Sequence, residues 1–563
     1  MSSKSPAFSR PLWVVALWGA FNTAYGADAA PLPGAGSILQ EIKPPAPAAP
    51  PARAPELNYP SHQVAPSQDT TLFSVEKIEF SGNTLFSSQI LHSLVADGEG
   101  KKLNLASLQE IAARITEYYR QQGYPLSRAY IPPQSISQGV VTIKVLEVKY
   151  GEVHLQNSSR VDNSLVNATL APLGNGEAIQ SQTLDRALLL LSDLPELQVG
   201  ATLKPGRNVG SSDLEVEALP RTTSYANLNL DNYGNRYIGR TRLTGTGYLL
   251  NPLRHGDTLT ASAITTGEGM NYGRLGYDIT LNGQGTRLGG SYSTLYYKLS
   301  GTASALDAHG TADITSLWVK HPLIRGKQFN LYGQVEFDAK QLRDHVDTSQ
   351  TKTDRKLANW VLSLNGDHRD GLLGGGVNVW SLGWTSGQVS FDNREAKSAD
   401  AQTAKSSGGF AKVNGNFSRL QGLTAKDSLY LNLSFQWANE NLDSGEKMSV
   451  GGPYNVRAYD IGAVSGDSGY LGTLEYHRDL GNMGGGNLQG VAFLDSAHVN
   501  VNRHPWTASS NSATLSGAGL GANWNGPDLW RVSVYVASRI GAQPTLVTKP
   551  SQFTGWLVIN KAF

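Results

Sequence analysis

The sequence predicts a mainly β protein, in which two small α+β units precede a 16-stranded transmembrane β-barrel. Three observations lead to this fold class. Glycine makes up 61 of 563 residues and charged residues only 17%, whereas soluble proteins average ~7% glycine and ~25% charged residues. Apolar residues recur at helical spacing only before residue 221. Beyond that point, apolar and polar residues alternate in many short segments, as they do in strands that separate lipid from water.

The first 26 residues predict a secretory signal peptide. Lys4 and Arg10 supply positive charge, an apolar stretch of about a dozen residues follows, and the small residues Ala24 and Gly26 lie before the expected cleavage point. The alternative is an N-terminal membrane anchor, which such a short apolar stretch disfavours. A spanning helix needs about 20 mostly apolar residues in a row, and no run after residue 30 approaches this length. We therefore expect the mature chain to leave the cytoplasm.

The next two segments predict a short helix and a linker. Residues 27–43 contain GSILQEIK, in which Ser37 is placed to cap a helix and Gln40 occupies the capping-box position. Residues 44–71 contain eight prolines. This composition is typical of an extended, semi-rigid linker.

Residues 72–148 predict the first α+β unit. FSVEKIEFSGN alternates like a strand, two stretches of helical periodicity follow, and SRAYIPPQ and GVVTIKVLEVKYG predict two further strands. The order is therefore β-α-α-β-β. Residues 149–220 repeat this order more loosely, so we expect a second unit of the same kind.

Residues 221–563 predict the barrel. In SLYLNLSFQW the apolar residues at alternate positions share one face, and Asn432, Ser434 and Gln436 share the other. Sixteen such segments leave about 21 residues for each strand and its connection, and a tilted spanning strand needs only ~9–11. A soluble β-sandwich also alternates, but the polar faces and glycine-rich connections favour a barrel with a wet interior.

The sequence offers no pattern of catalytic or metal-binding residues. The absence of cysteine excludes disulfides, thiolate metal sites and cysteine nucleophiles. HRDL at positions 477–480 resembles a kinase catalytic loop, but Gly484 stands where that loop needs asparagine. A formal net charge of +1 creates no field that would attract nucleic acid. We expect no enzymatic activity, no cofactor, no metal site and no nucleic-acid partner.

One loop, GGPYNVRAYDIGAVSGDSG, is too long and too rich in glycine for a tight turn between strands. A barrel of sixteen strands leaves an aqueous channel unless something fills it, and the glycines would let this loop bend inward. Arg457 would then need a carboxylate partner. Asp495 is the best candidate, because it lies on the lumen face of a late predicted strand, with Phe493 on the same face.

The order of these segments resembles that of the TpsB transporters of two-partner secretion. These are outer-membrane proteins of the hemolysin-activator or filamentous-hemagglutinin-transporter type, and the resemblance covers essentially the whole mature chain. The two small units look like POTRA domains. In this family, a Val-Arg-Gly-Tyr tetrad lies on the sixth extracellular loop, which folds back into the barrel. Here the tetrad consists of Val456, Arg457, Ala458 and Tyr459, with alanine in the place of glycine.

A second marker of the family is a Phe-x-Asp motif on a late strand. Phe493 and Asp495 supply it, although Ala497 stands where a glycine often follows. The resemblance implies that Arg457 pairs with Asp495 inside the barrel, with Tyr459 and Phe493 packed beside the pair. It also implies that the helix within residues 27–43 plugs the lumen.

The resemblance further implies a location and partners. The barrel would lie in the outer membrane of a Gram-negative bacterium, among outer-membrane lipids, with its POTRA domains in the periplasm. The POTRA domains would recognise the secretion domain of one large β-helical exoprotein, such as an adhesin, a hemolysin or a toxin. Phe563, the last residue, would be the signal that the barrel assembly machinery reads after periplasmic chaperones deliver the chain.

Two other functions stay open at this point. A barrel assembly or insertion factor of the same superfamily would usually carry more POTRA domains, and it would lack the N-terminal helix and the proline-rich linker. A passive porin would lack the units at residues 72–220. The sequence does not name the exported protein, whereas a very large reading frame with a secretion signal beside this gene would.

Overall fold

The computed structural model describes residues 32–42, 57–58, 71–547 and 551–563. The predicted signal peptide, residues 1–26, and most of the proline-rich linker lie outside the described residues. In the part of the chain that the structure describes, no helix is both long enough and apolar enough to cross a membrane.

Helix α1 spans Ala35–Ile42, so the prediction that Ser37 caps it is wrong. The Ser37 hydroxyl turns back to Gly34 instead, accepting its N–H and donating to its carbonyl, both at 3.0 Å. The N–H of Ala35 donates to Oδ1 of Asp344 at 2.7 Å. A carboxylate at this end of a helix satisfies a free N–H group and complements the helix dipole. Asp344 therefore caps α1 from a distant part of the chain.

The three-stranded sheet and the two helices of the first small unit follow the predicted β-α-α-β-β order, and two short strands that pair with each other are added to it. The unit contains β2 Phe73–Val75, β3 Lys77–Ser81, α2 Ser88–Ser93, β4 Lys101–Leu103, α3 Leu105–Gln121, β5 Arg128–Tyr130 and β6 Val140–Leu146. Strands β3, β6 and β5 form a sheet in this spatial order, with β3 parallel to β6. The buried residues of α3 recur every three or four positions and join the core of the sheet; they are Leu108, Ile111, Ala112, Ile115 and Tyr119.

The second small unit repeats this arrangement and adds a strand from the linker. It contains β7 Lys149–Asn157, α4 Asn163–Leu170, α5 Ser181–Ser192, β8 Leu197–Pro205 and β9 Ser211–Pro220. The linker segment Leu57–Asn58 forms β1, and the sheet order is β1-β8-β9-β7. β1 is parallel to β8, with Leu57 opposite Ala201 and Asn58 opposite Thr202. A short part of the predicted linker therefore covers an edge of this sheet.

A closed barrel of 16 strands follows, and the predicted fold class is confirmed. Its first eight strands are β10 Ser224–Asp231, β11 Arg242–Leu250, β12 Thr258–Thr265, β13 Met270–Thr280, β14 Arg287–Lys298, β15 Ala308–Arg325, β16 Phe329–Val346 and β17 Thr351–Asp370. The other eight are β18 Gly376–Phe391, β19 Gly408–Gly422, β20 Asp427–Ala438, β23 Ser468–Met483, β24 Gly486–Asn500, β25 Ser512–Asn525, β26 Trp530–Arg539 and β27 Phe553–Ala562. Antiparallel pairing of β27 with β10 closes the barrel.

The barrel turns apolar side chains outward. Along β20, Leu433, Phe435 and Trp437 are exposed on the outer surface, where outer-membrane barrels present an apolar band to lipid. Gln436 points the other way and donates to the carbonyls of Glu446 and Asp467 inside the barrel, both at 3.1 Å. The alternation in the sequence therefore separates the lipid face from the lumen face.

Short turns connect the strands at the end of the barrel that meets the second small unit. Arg325 donates through Nε and Nη2 to the two carboxylate oxygens of Asp193, both at 2.7 Å. Lys327 pairs with Asp185, also at 2.7 Å. These contacts join α5 to the turn between β15 and β16.

Long connections lie at the opposite end. Residues 392–407 contain helix α6, Arg394–Gln402, which the sequence analysis did not predict. The segment is mostly polar and has no apolar stripe, so its periodicity is weak. Its clearest signal is Asn393, whose side chain accepts the N–H of Ala396 at 2.7 Å as an N-cap.

Candidate functional site

The connection between β20 and β23, residues 439–467, folds back into the barrel, and we call it the lumen loop. Strands β21 Met448–Val450 and β22 Val464–Gly466 pair within it as an antiparallel ladder. The return depends on Gly451, which has a φ of +102°. A Cβ at this position would lie 2.3 Å from the carbonyl oxygen of Asp460, so only glycine fits this turn.

Arg457 of the lumen loop binds Asp495 on β24. The Arg457 side chain is almost fully buried, and its Nε and Nη2 donate to Oδ2 and Oδ1 of Asp495 at 2.9 and 2.8 Å. Its backbone N–H also donates to Oδ2, at 3.1 Å. Thr473 of β23 donates to Oδ1 at 3.0 Å. The structure therefore brings together the arginine and the carboxylate that the sequence analysis paired.

Glu475 is a second carboxylate on Arg457, and the sequence analysis missed it. Nη1 of Arg457 donates to Oε1 of Glu475 at 2.6 Å, and the ring of His477 contacts Oε2 at 2.7 Å. In the register of β23 and β24, Glu475 lies directly opposite Phe493. The signal was present in the sequence, because Glu475 and His477 alternate along a predicted strand and so share one face.

Aromatic side chains enclose the guanidinium of Arg457. Its Cζ lies 3.5 Å from the ring centroid of Phe493 and 5.5 Å from that of Tyr535, within the range of cation–π attraction. Nε1 of Trp556 donates to the carbonyl of Arg457 at 2.8 Å. Phe493 lies beside the pair, where the family pattern placed it. Tyr535 and Trp556 come from β26 and β27, and no local pattern in the sequence pointed to them.

The other three residues of the tetrad are also buried. Val456, Ala458 and Tyr459 belong to the same apolar cluster as Phe493. Ala458 faces Gly517 of β25, where an added Cβ would lie 2.4 Å from Cβ of Ala458. The alanine that replaces the glycine of the family is therefore accommodated by a glycine on the barrel wall.

Helix α1 lies in the same lumen, against the first part of the lumen loop. A Cβ on Gly36 would lie 2.5 Å from the backbone nitrogen of Gly445, and Nε2 of Gln40 donates to the Gly445 carbonyl. Asn235 donates to both carboxylate oxygens of Glu41 at 3.1 Å. The apolar face of α1 packs in one cluster with wall residues, among them Leu295, Tyr297, Leu342 and Leu357. A cavity of about 1130 Å³ lies beside the helix and the loop.

Phe563 lies away from this site, next to the seam of the barrel. Its N–H donates to the carbonyl of Ala226 at 2.9 Å, and its ring is exposed beside Lys561, whose Nζ is 5.6 Å from the ring centroid. Among the described residues, no group of histidine and acidic side chains is placed to hold a metal ion.

The fold and the site together define a class of protein, an outer-membrane β-barrel with POTRA-type units before it and an arginine-bearing loop inside it. Comparison with known families then gives the family. Residues 73–147 match the family model described as POTRA domain, ShlB-type. Residues 210–524 match the model described as Haemolysin secretion/activation protein ShlB/FhaC/HecB. The chain belongs to this haemolysin secretion/activation family.

The chain is therefore an outer-membrane transporter of two-partner secretion, and the predictions of family, location and secretion function are confirmed. It is 26% identical over 499 residues to the heme/hemopexin transporter protein HuxB of Haemophilus influenzae, covering 87% of each chain. It is 24% identical over 515 residues to the outer membrane transporter CdiB of Escherichia coli, covering 85% of each chain. The solved structure of CdiB from Escherichia coli superposes with a TM-score of 0.72 at 21% identity, covering 94% of this chain and 95% of CdiB.

Proposed function

We propose that this transporter exports one long β-helical exoprotein, and that its POTRA units recognise the secretion domain of that protein. The observation that carries the proposal is the filled lumen, in which α1 and the lumen loop lie together against the wall. A passive porin needs an open lumen, whereas a protein exporter must stay closed until its cargo arrives. We assign α1 as the segment that the exported chain displaces, and the lumen loop as an attached part of the pore that export requires.

The POTRA units offer sheet edges to an unfolded chain. Strands β3 and β5 are the edges of the first sheet, and β7 is an edge of the second. An extended peptide adds to such an edge through backbone hydrogen bonds. The pairing of β1 with β8 supports strand addition as the mode of recognition, because it is the same kind of contact made by a segment of this chain.

The proposal includes a role for each segment and no catalytic step. We assign residues 1–26 as the signal peptide, residues 27–43 as the plug and residues 44–71 as its tether. Residues 72–148 and 149–220 recruit the cargo, and residues 221–563 form the pore. Folding of the exoprotein outside the cell disfavours its return and so supplies the driving force for export. The cargo class includes adhesins, hemolysins and toxins. Among the relatives, HuxB is named a heme/hemopexin transporter protein and HpmB a hemolysin transporter protein.

We assign three further groups of partners. Outer-membrane lipids surround the apolar belt of the barrel, and periplasmic chaperones carry the unfolded barrel to the outer membrane. The barrel assembly machinery reads Phe563, whose exposed ring beside the last strand supports that role. Nucleic acid is not among the partners.

Co-expression in a Gram-negative host with the largest exoprotein gene beside this one tests the proposal. We expect the exoprotein in the medium only when the transporter is present. Deletion of residues 72–148 should abolish export and still leave a heat-modifiable barrel in the outer membrane. Undiminished export by the deleted transporter would contradict recruitment by the first POTRA unit. If deletion of this gene removes other barrels from the outer membrane, and no exported protein is found, the result would favour an assembly factor instead.

A further inference from the structure

Arg355 on β17 joins the barrel wall to the lumen loop. Its side chain is buried, and its Nη1 donates to Oδ2 of Asp344 on β16 at 2.6 Å. Its Nε donates to the carboxylate of Asp443, and its Nη2 donates to the hydroxyl of Ser444 at 3.0 Å. Asp443 and Ser444 belong to the lumen loop, so a single guanidinium holds both the wall and the loop.

The partners of Arg355 also form the seat of helix α1. Oδ1 of Asp344 accepts the N–H of Ala35 at 2.7 Å, and Arg355 holds the other oxygen of the same carboxylate. On the loop side, a Cβ on Gly36 would lie 2.5 Å from Oγ of Ser444. Arg355 therefore orients both surfaces between which the first turn of α1 is held, although it does not bind α1 itself in any described contact.

A second junction attaches the lumen loop to the wall independently. Glu446 pairs with Lys340 at 2.5 Å and with Lys412 at 2.8 Å, and it accepts a hydrogen bond from Asn359 at 2.8 Å. Attachment of the loop to the wall therefore does not depend on Arg355 alone.

We propose that Arg355 couples the plug helix to the lumen loop, so that release of either element loosens the other. The inference rests on the proposed role of α1 as a removable plug. If the loop moves, Arg355 loses Asp443 and Ser444, so its guanidinium is no longer held in the position from which it orients Asp344. The hydroxyl of Tyr297, at 2.6 Å, is then left to hold the carboxylate that caps α1. If α1 leaves, Asp344 and Ser444 lose the helix that covers them. Linkage requires the coupling to be equal in both directions.

Labelling of a cysteine in the loop tests the coupling from the side of the plug. The chain has no cysteine. Val450 of the loop is 0% exposed and packs in the cluster of Phe493, which contains none of the described residues of α1, so Val450→Cys reports loop movement to a membrane-impermeant maleimide. Deletion of residues 34–43 removes the plug. We expect labelling to become ~10-fold faster, together with a rise in single-channel conductance. A tenfold change corresponds to about 1.4 kcal/mol of coupling free energy.

The two readouts separate the inference from the function on which it rests. A deletion that raises conductance and leaves the labelling rate unchanged overturns the coupling. A deletion that leaves conductance unchanged overturns the role of α1 as a plug, whatever the labelling rate.

Substitution of Arg355 tests the coupling from the side of the wall. Arg355→Met should raise the open fraction of single channels and the labelling of Val450→Cys by ~10-fold. Arg419→Met is the matched control, because Arg419 donates to Asp370 at 2.8 and 3.0 Å near the short-turn end of the barrel. It should change neither readout, and both variants should give heat-modifiable barrels.

A double variant distinguishes coupling from two separate defects. Gly36→Ala lifts α1 from the loop directly, because the added methyl group would lie 2.5 Å from Ser444 and Gly445. If Arg355 acts through the same seat, Gly36→Ala with Arg355→Met should open the channel less than the product of the two single effects. Single effects that multiply in full overturn the proposal.

Discussion

Two carboxylates of the barrel wall bind the positively charged guanidinium of Arg457 at the same time. Two unit charges about 4 Å apart interact by about 4 kcal/mol at an effective dielectric near 20, and desolvation cancels much of that gain. Removal of one partner is more costly than the net worth of the pair, because the other charge stays buried, at about 3–5 kcal/mol. Since Asp495 and Glu475 both bind Arg457, its loss leaves two carboxylates close together.

Arg457→Ala should detach or reposition the lumen loop. We expect a loss of about 3–5 kcal/mol in loop attachment, a sharp fall in secreted exoprotein, and a smaller fall in the amount of heat-modifiable barrel. Arg457→Lys should also impair secretion, because an ammonium group cannot form the bidentate contact that a guanidinium makes. Exoprotein in the medium and barrel in the membrane are measured in the same cultures.

Arg240→Ala is the control for this substitution. Arg240 pairs with Asp460 of the same loop at 3.0 Å, and its side chain is half exposed. Exposed pairs contribute about 0–1 kcal/mol, so this variant should secrete nearly as well as the wild type. If Arg457→Ala also secretes at the wild-type level, the contact of Arg457 with the barrel wall is not needed for export.

Gly517→Ala should weaken the seat of the tetrad from the opposite side. The new methyl group would lie 2.4 Å from Cβ of Ala458, and overpacking of this kind typically costs about 1–3 kcal/mol. Secretion should fall, and Ala458→Gly in the same chain should restore much of it. Equal secretion by Gly517→Ala with and without the second change would show that the contact does not matter.

At this scale the sequence predicted the partners that strand parity can reveal. Arg457 and Asp495 followed from residue type, from the lumen face of a strand and from the family pattern. Glu475 obeys the same parity and was overlooked. Tyr535 and Trp556 were out of reach, because only closure of the barrel brings β26 and β27 beside the loop.

Helix α1 is too short to be stable alone. Isolated helices below ~12–15 residues are marginal in water, and α1 has eight residues. Its order therefore depends on its seat in the lumen. Deletion of residues 34–43 should raise single-channel conductance and antibiotic entry. It should spare secretion, because on the proposed function the helix must leave the lumen before the exported chain can pass. Conductance equal to that of the wild type would contradict a plug in this position.

Glu147 makes the first POTRA unit sensitive to acid. It accepts the N–H groups of Thr84 and Leu85 at 2.8 Å and the hydroxyl of Tyr119 at 2.7 Å. Burial alone would raise the pKa of Glu147, but these hydrogen bonds outweigh burial and hold the pKa below its usual value. A carboxyl group with a lowered pKa in the folded state stabilises the fold above its unfolded pKa, and this contribution is lost as pH falls through the folded pKa.

The free energy of unfolding of this unit should therefore fall as pH drops below about 4.3, the pKa of an unperturbed glutamate. Hydrogen exchange of α3 in the full-length protein measures it. Glu147→Gln should remove this pH dependence and cost about 1–3 kcal/mol at neutral pH. Glu110 lies on the exposed face of α3, so Glu110→Gln should change neither the pH dependence nor the stability at neutral pH. A pH profile unaffected by Glu147→Gln would assign the acid sensitivity to another group.

Among the elements, periodicity predicted the long ones and missed several of the short ones. The spanning strands and α3 repeat their pattern over enough residues to be recognised. The three-residue strand β4, the two-residue strand β1 and the polar helix α6 do not. The start of α1 was misplaced for another reason, since its cap is Asp344, which lies 309 positions away.

At the scale of the whole molecule, Arg325 is one of several side chains that fix the second POTRA unit to the barrel. Its guanidinium is buried and binds both oxygens of Asp193 as well as Asn330. Arg325→Met should loosen the unit and broaden the spin-label distance distribution between α5 and the barrel. Lys327→Met is the control, because its pair with Asp185 is partly exposed and such pairs contribute little. Equally narrow distributions in both variants would contradict this role.

No pattern in the sequence could have given this arrangement. The contact between α5 and the turn after β15 joins residues 132 positions apart, and neither segment carries a mark of the other. Domain order follows from composition and periodicity, whereas the angle between domains depends on side chains that meet only after both have folded.

The two residues of β1 have a consequence for the distance that α1 can travel. Only 14 residues separate Ile42 from Leu57, and a fully extended chain of this length spans at most ~50 Å. With β1 paired to β8, the plug has a short tether that ends on the second POTRA unit. Once β1 leaves β8, the tether extends to Phe73, and 30 residues then lie between α1 and this next fixed point. Fully extended, they reach ~100 Å. Whatever takes the place of β1 on this sheet edge therefore doubles the reach of the plug.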